Sequence, residues 1–193
     1  ELAPDAVLTL SGDFLNAENF IAGGTVVYNA EDQVVTAISY NNLTLQNGSK
    51  TFSSDGIIII GGQLSYDSDV TIDASAATVK YTSDTADQTI YTTTYGNLYL
   101  SGTGKIFTPG DLVISGVFDT SGVLDKNQID LSETTVTYDS AEDTVIAALN
   151  YGQLIINGSG TKTLANGLTA AVLTVGSNGI MNIRSSGNMF QSV

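Results

Sequence analysis

The sequence predicts an all-β protein, a parallel β-helix or β-solenoid that winds in the right-handed sense. One block has a Tyr, then Leu-x-Leu or Leu-x-Ile, a Gly-rich turn, a Lys and an apolar residue. It occurs three times, at residues 40–52, 95–107 and 151–164. Short β-branched runs separated by Gly, Asn and Asp occupy the rest of the chain, as expected for strands and turns. Self-similarity at a fixed period is typical of solenoid proteins.

Two further blocks recur in a fixed order. Thr-Val-x-Tyr precedes each copy, at residues 25–28, 78–81 and 135–138. A short apolar block follows each copy, at residues 58–61, 112–115 and 173–176, and residues 8–11 match it as well. Leu43, Leu98 and Leu154 hold one position, so the spacing is 55 and then 56 residues. With ~20 residues in a typical coil, each repeat holds two or three coils.

These blocks define one solenoid domain over residues 1–193. Its repeats are expected at about 24–75, 76–132 and 133–183, and 1–23 are expected to be the end of a preceding repeat. A pair of antiparallel β-sandwiches is the competing interpretation. A period of ~55 residues is short for an immunoglobulin-like sandwich, which needs about 100, and this favours the β-helix.

Elements of the first repeat follow from residue type in chain order. Strands are expected at Val7–Leu10, Val26–Tyr28, Val34–Tyr40, Leu43–Leu45, Ile57–Ile60, Leu64–Tyr66, Val70–Ile72 and Val79–Tyr81. Asn47 and Gly48 predict a turn, since both residues tolerate positive φ. The four consecutive isoleucines at 57–60, bounded by glycines, favour a strand that is buried on both faces.

Composition excludes several function classes. The chain has no Cys and no His, so it lacks thiolate and imidazole metal ligands and the commonest general base. The formal net charge of −14 argues against binding to nucleic acid or to anionic membranes, both of which favour basic patches. No apolar run approaches the ~20 residues that span a bilayer. We expect no membrane insertion, and no signal peptide is visible at the start of the chain.

A resemblance to a protein family adds to these predictions. Gly-Thr-Val-Val-Tyr-Asn at 24–29, Tyr-Asn-Asn-Leu-Thr-Leu at 40–45 and Gly-Ser-Gly-Thr-Lys-Thr-Leu at 158–164 resemble repeats of large β-helical or β-solenoid, adhesin-like surface proteins of Bacteroidetes-type bacteria. The resemblance implies an exported, extracellular, cell-surface protein. The second copy departs from the pattern, with Lys-Ile-Phe at 105–107 in place of Lys-Thr-Leu.

Two sets of repeated residues invite a functional and a structural interpretation. Lys50, Lys105 and Lys162 hold one repeat position. They could form a row of cations that binds an anionic polymer, but a structural lysine that lies over an adjacent coil is favoured. Tyrosines also hold two repeat positions, at 28, 81 and 138 and at 40, 95 and 151. They could stack on sugars, but an internal or half-exposed aromatic ladder is favoured.

Acidic turns are the candidate metal and modification sites. Carboxylates recur at 31–32, at 84 and 87, and at 139, 142 and 143, which solvated turns explain. Asp67, Asp69 and Asp73 form the densest group and are the expected ligands if the chain binds Ca²⁺; no other cofactor is expected. Asp-Ser/Thr-apolar triplets resemble the O-glycan sites of Bacteroidetes proteins and make Thr85, Ser140 and Thr144 candidate attachment points.

Function is expected to be structural. We predict an extracellular structural or adhesive solenoid segment of a larger surface protein or filament, which associates with itself or with flanking repeats and could bind surface polysaccharide. The alternative is a carbohydrate- or ice-binding module with a regular file of Thr or Tyr on one flat face. A polysaccharide-degrading β-helix enzyme is third, because it would need clustered carboxylates, often with a basic partner, and the only Arg in the sequence is Arg184. We therefore predict that the chain is not an enzyme.

Overall fold

The computed structural model describes residues 1–14, 20–85, 87–165 and 167–182 and confirms the parallel β-solenoid, with about nine turns. At ~4.8 Å between neighbouring strands, nine turns form a rod of roughly 40 Å. The described residues contain no α-helix and one 3₁₀ turn, Lys126–Gln128. The strands in chain order are β1 Val7–Leu10, β2 Ala22–Tyr28, β3 Asp32–Val35, β4 Ser39–Leu45, β5 Ser49–Phe52, β6 Ile57–Ile60, β7 Leu64–Tyr66, β8 Thr71–Tyr81, β9 Gln88–Ile90, β10 Thr94–Gly102, β11 Lys105–Phe107, β12 Gly110–Ile114, β13 Phe118–Val123, β14 Ile129–Tyr138, β15 Thr144–Ile146, β16 Asn150–Ile156, β17 Thr161–Leu164, β18 Thr169–Val175 and β19 Ile180–Asn182.

Each coil crosses two sheets. A long main sheet runs from β1 to β18, and shorter stacks such as β3, β5 and the start of β8 form the second sheet. We call the turn from the main to the second sheet the first corner, as at residues 46–48. The turn back to the main sheet is the second corner, as at residues 36–38. All strand pairs among the described residues are parallel, so each coil must cross both corners before it reaches the next.

The sequence blocks define three kinds of coil that follow one another. A coils carry Thr-Val-x-Tyr in β2 and in the second halves of β8 and β14. B coils carry the Tyr block in β4, β10 and β16. C coils follow with β6, β12 and β18. The pairing shifts along the main sheet at each C coil. Ile60 lies beside Tyr40, near the start of β4, and beside Tyr81, at the end of β8.

The third C coil lies in a different register from the one that its sequence suggested. Residues 173–176 were expected to match 58–61 and 112–115. The structure instead pairs Ala170 with Tyr151, as it pairs Ile60 with Tyr40 and Ile114 with Tyr95. Each C coil holds two apolar runs in the main sheet, and matching by hydrophobicity selected the wrong one. The division into three repeats stays a prediction.

Alternating side chains build the core, because successive residues of a strand point to opposite faces. In β6 the side chains of Ile58 and Ile60 are buried, whereas Ile57 is 42% exposed. The prediction that this strand is buried on both faces is therefore wrong, since nothing in the described chain covers the outer face of the main sheet there. Each fully buried Leu, Ile or Val contributes about 1.5–3 kcal/mol, and these inward stacks hold the coils together.

The turn predicted at Asn47 and Gly48 is confirmed. Asn47 has φ of 59° and Gly48 has φ of 54°, in the left-handed region that few residues tolerate. A Cβ on Gly48 would collide with the backbone oxygen of Glu31 in the preceding coil. Close stacking of consecutive first corners therefore requires glycine at this position.

Candidate functional site

The three repeated lysines lie inside the solenoid at its first corners. Lys50, Lys105 and Lys162 have no exposed surface. Each faces a polar residue of the preceding coil and an apolar residue of the following one; Lys105, for example, lies between Gln88 and Ile129. Burial excludes a surface row of cations that binds an anionic polymer and supports the structural interpretation.

Each ammonium group binds carbonyl oxygens of two consecutive first corners. Lys105 Nζ donates to Ser83 O at 3.0 Å in the preceding coil and to Thr103 O at 2.9 Å in its own. Lys162 Nζ donates to Ser140 O and Gly160 O, both at 2.6 Å. Lys50 Nζ donates to Ala30 O at 2.6 Å, to Glu31 O at 3.3 Å and to Asn47 O. With three donors and no acceptor, an ammonium group suits a corner lined by carbonyls.

Two buried glutamines link A coils to the C coils that precede them. Gln33 Nε2 donates to Leu10 O at 3.0 Å and to Gly12 O at 2.9 Å, and its Oε1 accepts from the Ala30 backbone N–H. Gln88 binds its preceding C coil in the same way, with bonds of 2.8 and 2.6 Å to Ile60 O and Gly62 O. Sequence analysis missed both glutamines. The loops before them differ in length, and Thr144 pairs with Lys162 as Gln33 pairs with Lys50.

Carboxylates outside the first corners offset the buried charge. Desolvation lowers the pKa of Lys50, whereas Asp32 and Asp69 raise it. Desolvation likewise lowers the pKa of Lys105, against the nearby Asp84. The acidic turns therefore have an electrostatic role at the corners, because an opposite charge favours the protonated lysine.

Tyrosine pairs fill the second corners of the A coils. Tyr28 and Tyr40 are buried and their hydroxyls lie 2.8 Å apart, with rings edge to face. Tyr40 Oη donates to Thr36 O at 2.8 Å, and Thr36 N donates to Tyr28 Oη at 3.2 Å. Tyr40 has one hydroxyl proton, so Tyr28 must be the donor between the two rings.

The pair recurs in the other two A coils. Tyr81 and Tyr95 hydroxyls lie 3.1 Å apart, as do those of Tyr138 and Tyr151. The prediction of an internal location is confirmed, but the tyrosines meet in pairs through their hydroxyl groups and do not stack as one continuous ladder. Burial raises the pKa of Tyr138 to about 12 and raises that of Tyr151 as well, because ionised phenolates are poorly solvated there.

The predicted calcium ligands lie on the surface. Asp67, Asp69 and Asp73 are exposed, and Asp73 Oδ1 accepts hydrogen bonds from Ser75 N at 3.0 Å and Ser75 Oγ at 2.7 Å. Asp69 instead lines a shallow groove with Glu31 and Asp32. Across the described ranges, no three acidic side chains are grouped so as to hold a metal ion. Calcium binding stays a prediction from sequence.

The predicted glycan acceptors lie in different environments. Thr85 is exposed in a turn, as expected. Ser140 is buried, and its hydroxyl accepts a hydrogen bond from Glu142 N at 3.0 Å, so the expectation of an exposed turn is wrong there. Thr144 is half-buried in β15. Glycosylation stays a prediction at all three.

In the part of the main sheet that the structure describes, the outer face has no regular file of threonines in these pairings. Two cross-strand rows read Thr9, Val27, Thr44 and Ser65, and Val113, Thr137, Ile155 and Thr174. Apolar residues interrupt each row. Lys80 Nζ lies 5.1 Å from the centre of the Tyr99 ring on the same face, which places a cation beside a half-exposed aromatic ring.

Comparisons with protein-family models, with curated proteins and with solved structures found no match. Where the structure is described, no helix is long and apolar enough to cross a membrane.

Every described buried side-chain nitrogen and oxygen atom has a hydrogen-bond partner. The described interior polar groups therefore stabilise the fold, and none of them is an unpaired group that a ligand would be needed to satisfy.

Proposed function

We propose that the chain is a structural β-solenoid segment of an extracellular surface protein or filament, with no catalytic role. One observation carries this proposal: the buried charged and polar groups hold the chain's own backbone. Lys50, Lys105 and Lys162 bind corner carbonyls, and the three tyrosine pairs bind second corners. Such internal links favour a rod that keeps its shape.

The surface charge supports the same role. The chain carries 20 acidic and 6 basic residues, and three of the basic residues are buried lysines. The exterior is therefore more acidic than the composition suggests. Like charge along a rod keeps its sides soluble and opposes lateral association, which leaves its ends as the places where further solenoid can attach.

Electron microscopy of the protein isolated from its native source tests this proposal. We expect the chain to form part of an extended rod or filament on the cell surface. Discrete globular particles, or labelling that is confined to the cell interior, would contradict it. An antibody against the exposed turn at residues 54–56 identifies the chain in the images, so that either outcome can be assigned to it.

A second candidate is polysaccharide binding on the outer face of the main sheet. The observation that favours it is Lys80 above Tyr99, because an aromatic ring can stack on a sugar while a neighbouring cation binds a uronate carboxylate. A glycan array of acidic and neutral polysaccharides tests it. Binding that is lost in Tyr99→Ala and kept in Tyr95→Phe supports this face, and no binding at all rejects the candidate.

A further inference from the structure

In the last described coil, one strand edge has no partner among the described residues, and we call it the open edge. β18 pairs with β16 along one side, and no strand among the described residues pairs with its other side. Leu168 and Ala170 point inward there but are only half-buried. Leu112 and Ile114, which face the core of the preceding C coil, are fully buried. The open edge is therefore an incomplete junction between coils.

Every other C coil is followed by an A coil in one register. The opposed residues are Leu8 with Val26 and Leu10 with Tyr28, Ile58 with Val79 and Ile60 with Tyr81, and Leu112 with Val136 and Ile114 with Tyr138. The residue after each Tyr donates its N–H to the C strand: Asn29 to Leu10 O, Thr82 to Ile60 O and Asp139 to Ile114 O, at 2.8–3.0 Å. Three junctions with the same geometry define what a C edge binds.

Gln adds to the recognition at two of these junctions. Gln33 and Gln88 reach back to two carbonyls of the preceding C coil, the one opposite the Tyr and the one two residues later. By the same register, these carbonyls in the last described coil belong to Ala170 and Val172. Main-chain pairing supplies affinity for an added strand, and side chains at fixed positions supply its specificity.

We propose that the open edge of β18 is a docking surface for an A coil, a strand of the form Thr-Val-x-Tyr followed by a corner and a Gln, contributed by a further repeat of this class. The Val would lie opposite Leu168 and the Tyr opposite Ala170. This inference rests on the proposed structural role and specifies the partner that extends the rod.

A second copy of the same chain does not fit this edge. Its A strands are already paired on both sides: β2 lies between β1 and β4, β8 between β6 and β10, and β14 between β12 and β16. Its β1 holds the C position, since Leu8 and Leu10 pair with an A strand. Two copies placed end to end would put a C strand beside a C strand, without the Tyr or the Gln.

An in-register insertion tests the proposal in the full chain. Asp130 is the last residue of β14 that pairs with β11, opposite Ile106, and Asn182 is the last residue of β19, opposite Thr163, so the two hold the same place in the second sheet of a C coil. Residues 74–130 are inserted between Asn182 and Ile183, which places an A coil on β18. The matched control inserts the same residues rotated by one coil, 90–130 followed by 74–89, which places a B coil there. Both inserts have the same composition.

Hydrogen exchange at Leu168 and Ala170 is the readout. Thr169 N donates back to Leu149 O at 3.1 Å, so the N–H groups of the residues on either side point to the open edge. We expect the A-first insert to slow exchange at both amides by about a hundredfold or more, as frayed edge amides join the cooperative unit. The B-first insert should leave them close to the rates of the unmodified chain.

Each other outcome overturns the proposal. Equal protection by both inserts means that the edge accepts any coil, and no protection by either means that it accepts none. Strong protection in the unmodified chain means that the edge is already occupied. Protection that grows with protein concentration, together with dimers in sedimentation, means that a second copy is the partner. A rod seen by microscopy would survive any of these results, so the two proposals fail separately.

Discussion

The two corners of the coil both turn backbone carbonyls toward the interior, but different side chains bind them. At the first corners a single buried ammonium group such as Lys105 spans two coils. At the second corners two phenols, such as Tyr81 and Tyr95, are hydrogen-bonded to each other, and one of them binds the corner: Tyr95 Oη donates to Tyr91 O at 2.8 Å. The charged lysine at a first corner is balanced by carboxylates outside the corner, whereas the neutral tyrosine pair at a second corner needs no counter-charge.

This difference teaches where each corner is vulnerable. The ammonium group binds several carbonyls and lies near an Asp, so its loss removes several charged hydrogen bonds at once. The two phenols lie in one short run of hydrogen bonds, so removing one hydroxyl interrupts only that run. Raising the pH changes the contributions of the two corners to stability in opposite directions. A tyrosine whose pKa is raised by folding stabilises the protein less as the pH rises, whereas a lysine whose pKa is lowered by folding stabilises it more.

The largest expected effect comes from removing a lysine at a central first corner. Lys105→Met keeps most of the side-chain volume but removes the ammonium hydrogen bonds to Ser83 O and Thr103 O, and Ser83 O keeps only its bond from Thr103 N. Each hydrogen bond to a charged group is worth about 1.5–3 kcal/mol, so losing two of them should lower the free energy of unfolding by about 3–6 kcal/mol. Guanidinium titration measures it. The exposed Lys126→Met is the matched control, and equal losses in the two variants would contradict the corner model.

A tyrosine hydroxyl should matter less. Tyr95→Phe removes the bond to Tyr91 O and the partner of the Tyr81 hydroxyl. We expect a loss of about 1–3 kcal/mol by chemical denaturation. Tyr99→Phe, on the outer face, is the control and should change stability by less than about 0.5 kcal/mol. A Tyr95→Phe protein as stable as the parent would show that the pair is not needed.

Alkali should separate the two corners. The folded pKa of Tyr138 is raised to about 12, above the unfolded value of about 10. Its stabilising effect is therefore complete below pH 10 and is lost as the pH rises from 10 to 12. The double variant Tyr138→Phe/Tyr151→Phe should have a shallower decline of stability above pH 10 than the parent. An unchanged slope would remove the buried pair from the explanation.

The lysine corner should respond in the opposite sense. The folded pKa of Lys50 is lowered below its unfolded value of about 10.5 by desolvation. The folded state therefore binds fewer protons between these two values, and the lysine's contribution to stability rises with pH in that window. Urea midpoints measured from pH 8 to 10 should rise more in the parent than in Lys50→Met. A steeper rise in the variant would reverse the assignment.

The smallest effect should come from the outer carboxylates. Asp84 lies near Lys105 and raises its pKa, but its side chain is exposed and water screens the interaction. Asp84→Asn should therefore cost no more than about 0.5 kcal/mol at low salt and less at high salt. Thermal melts at two salt concentrations measure this. A large, salt-independent loss would mean that Asp84 has a further structural role.

Much of the fold could be predicted from the sequence because like residues recur at matched positions. Three lysines at one repeat position predicted a structural role, and the tyrosines predicted an internal aromatic set. Gln33 and Gln88 could not be found, since the spacing from the preceding Tyr differs between coils and Thr144 interrupts the pattern. The register of β18 was missed because pairing depends on neighbouring coils, which hydrophobicity alone does not specify.

Native-state hydrogen exchange tests the central claim that interior side chains hold both corners. Ser83 N donates to Gln88 Oε1 at a first corner, and Thr36 N and Ala147 N donate to Tyr28 and Tyr138 at second corners. We expect these three turn amides to exchange as slowly as amides of the central strands, about a thousandfold or more below exposed turn amides. Exchange at the rate of ordinary exposed turns would show that the corners open independently and would contradict the account.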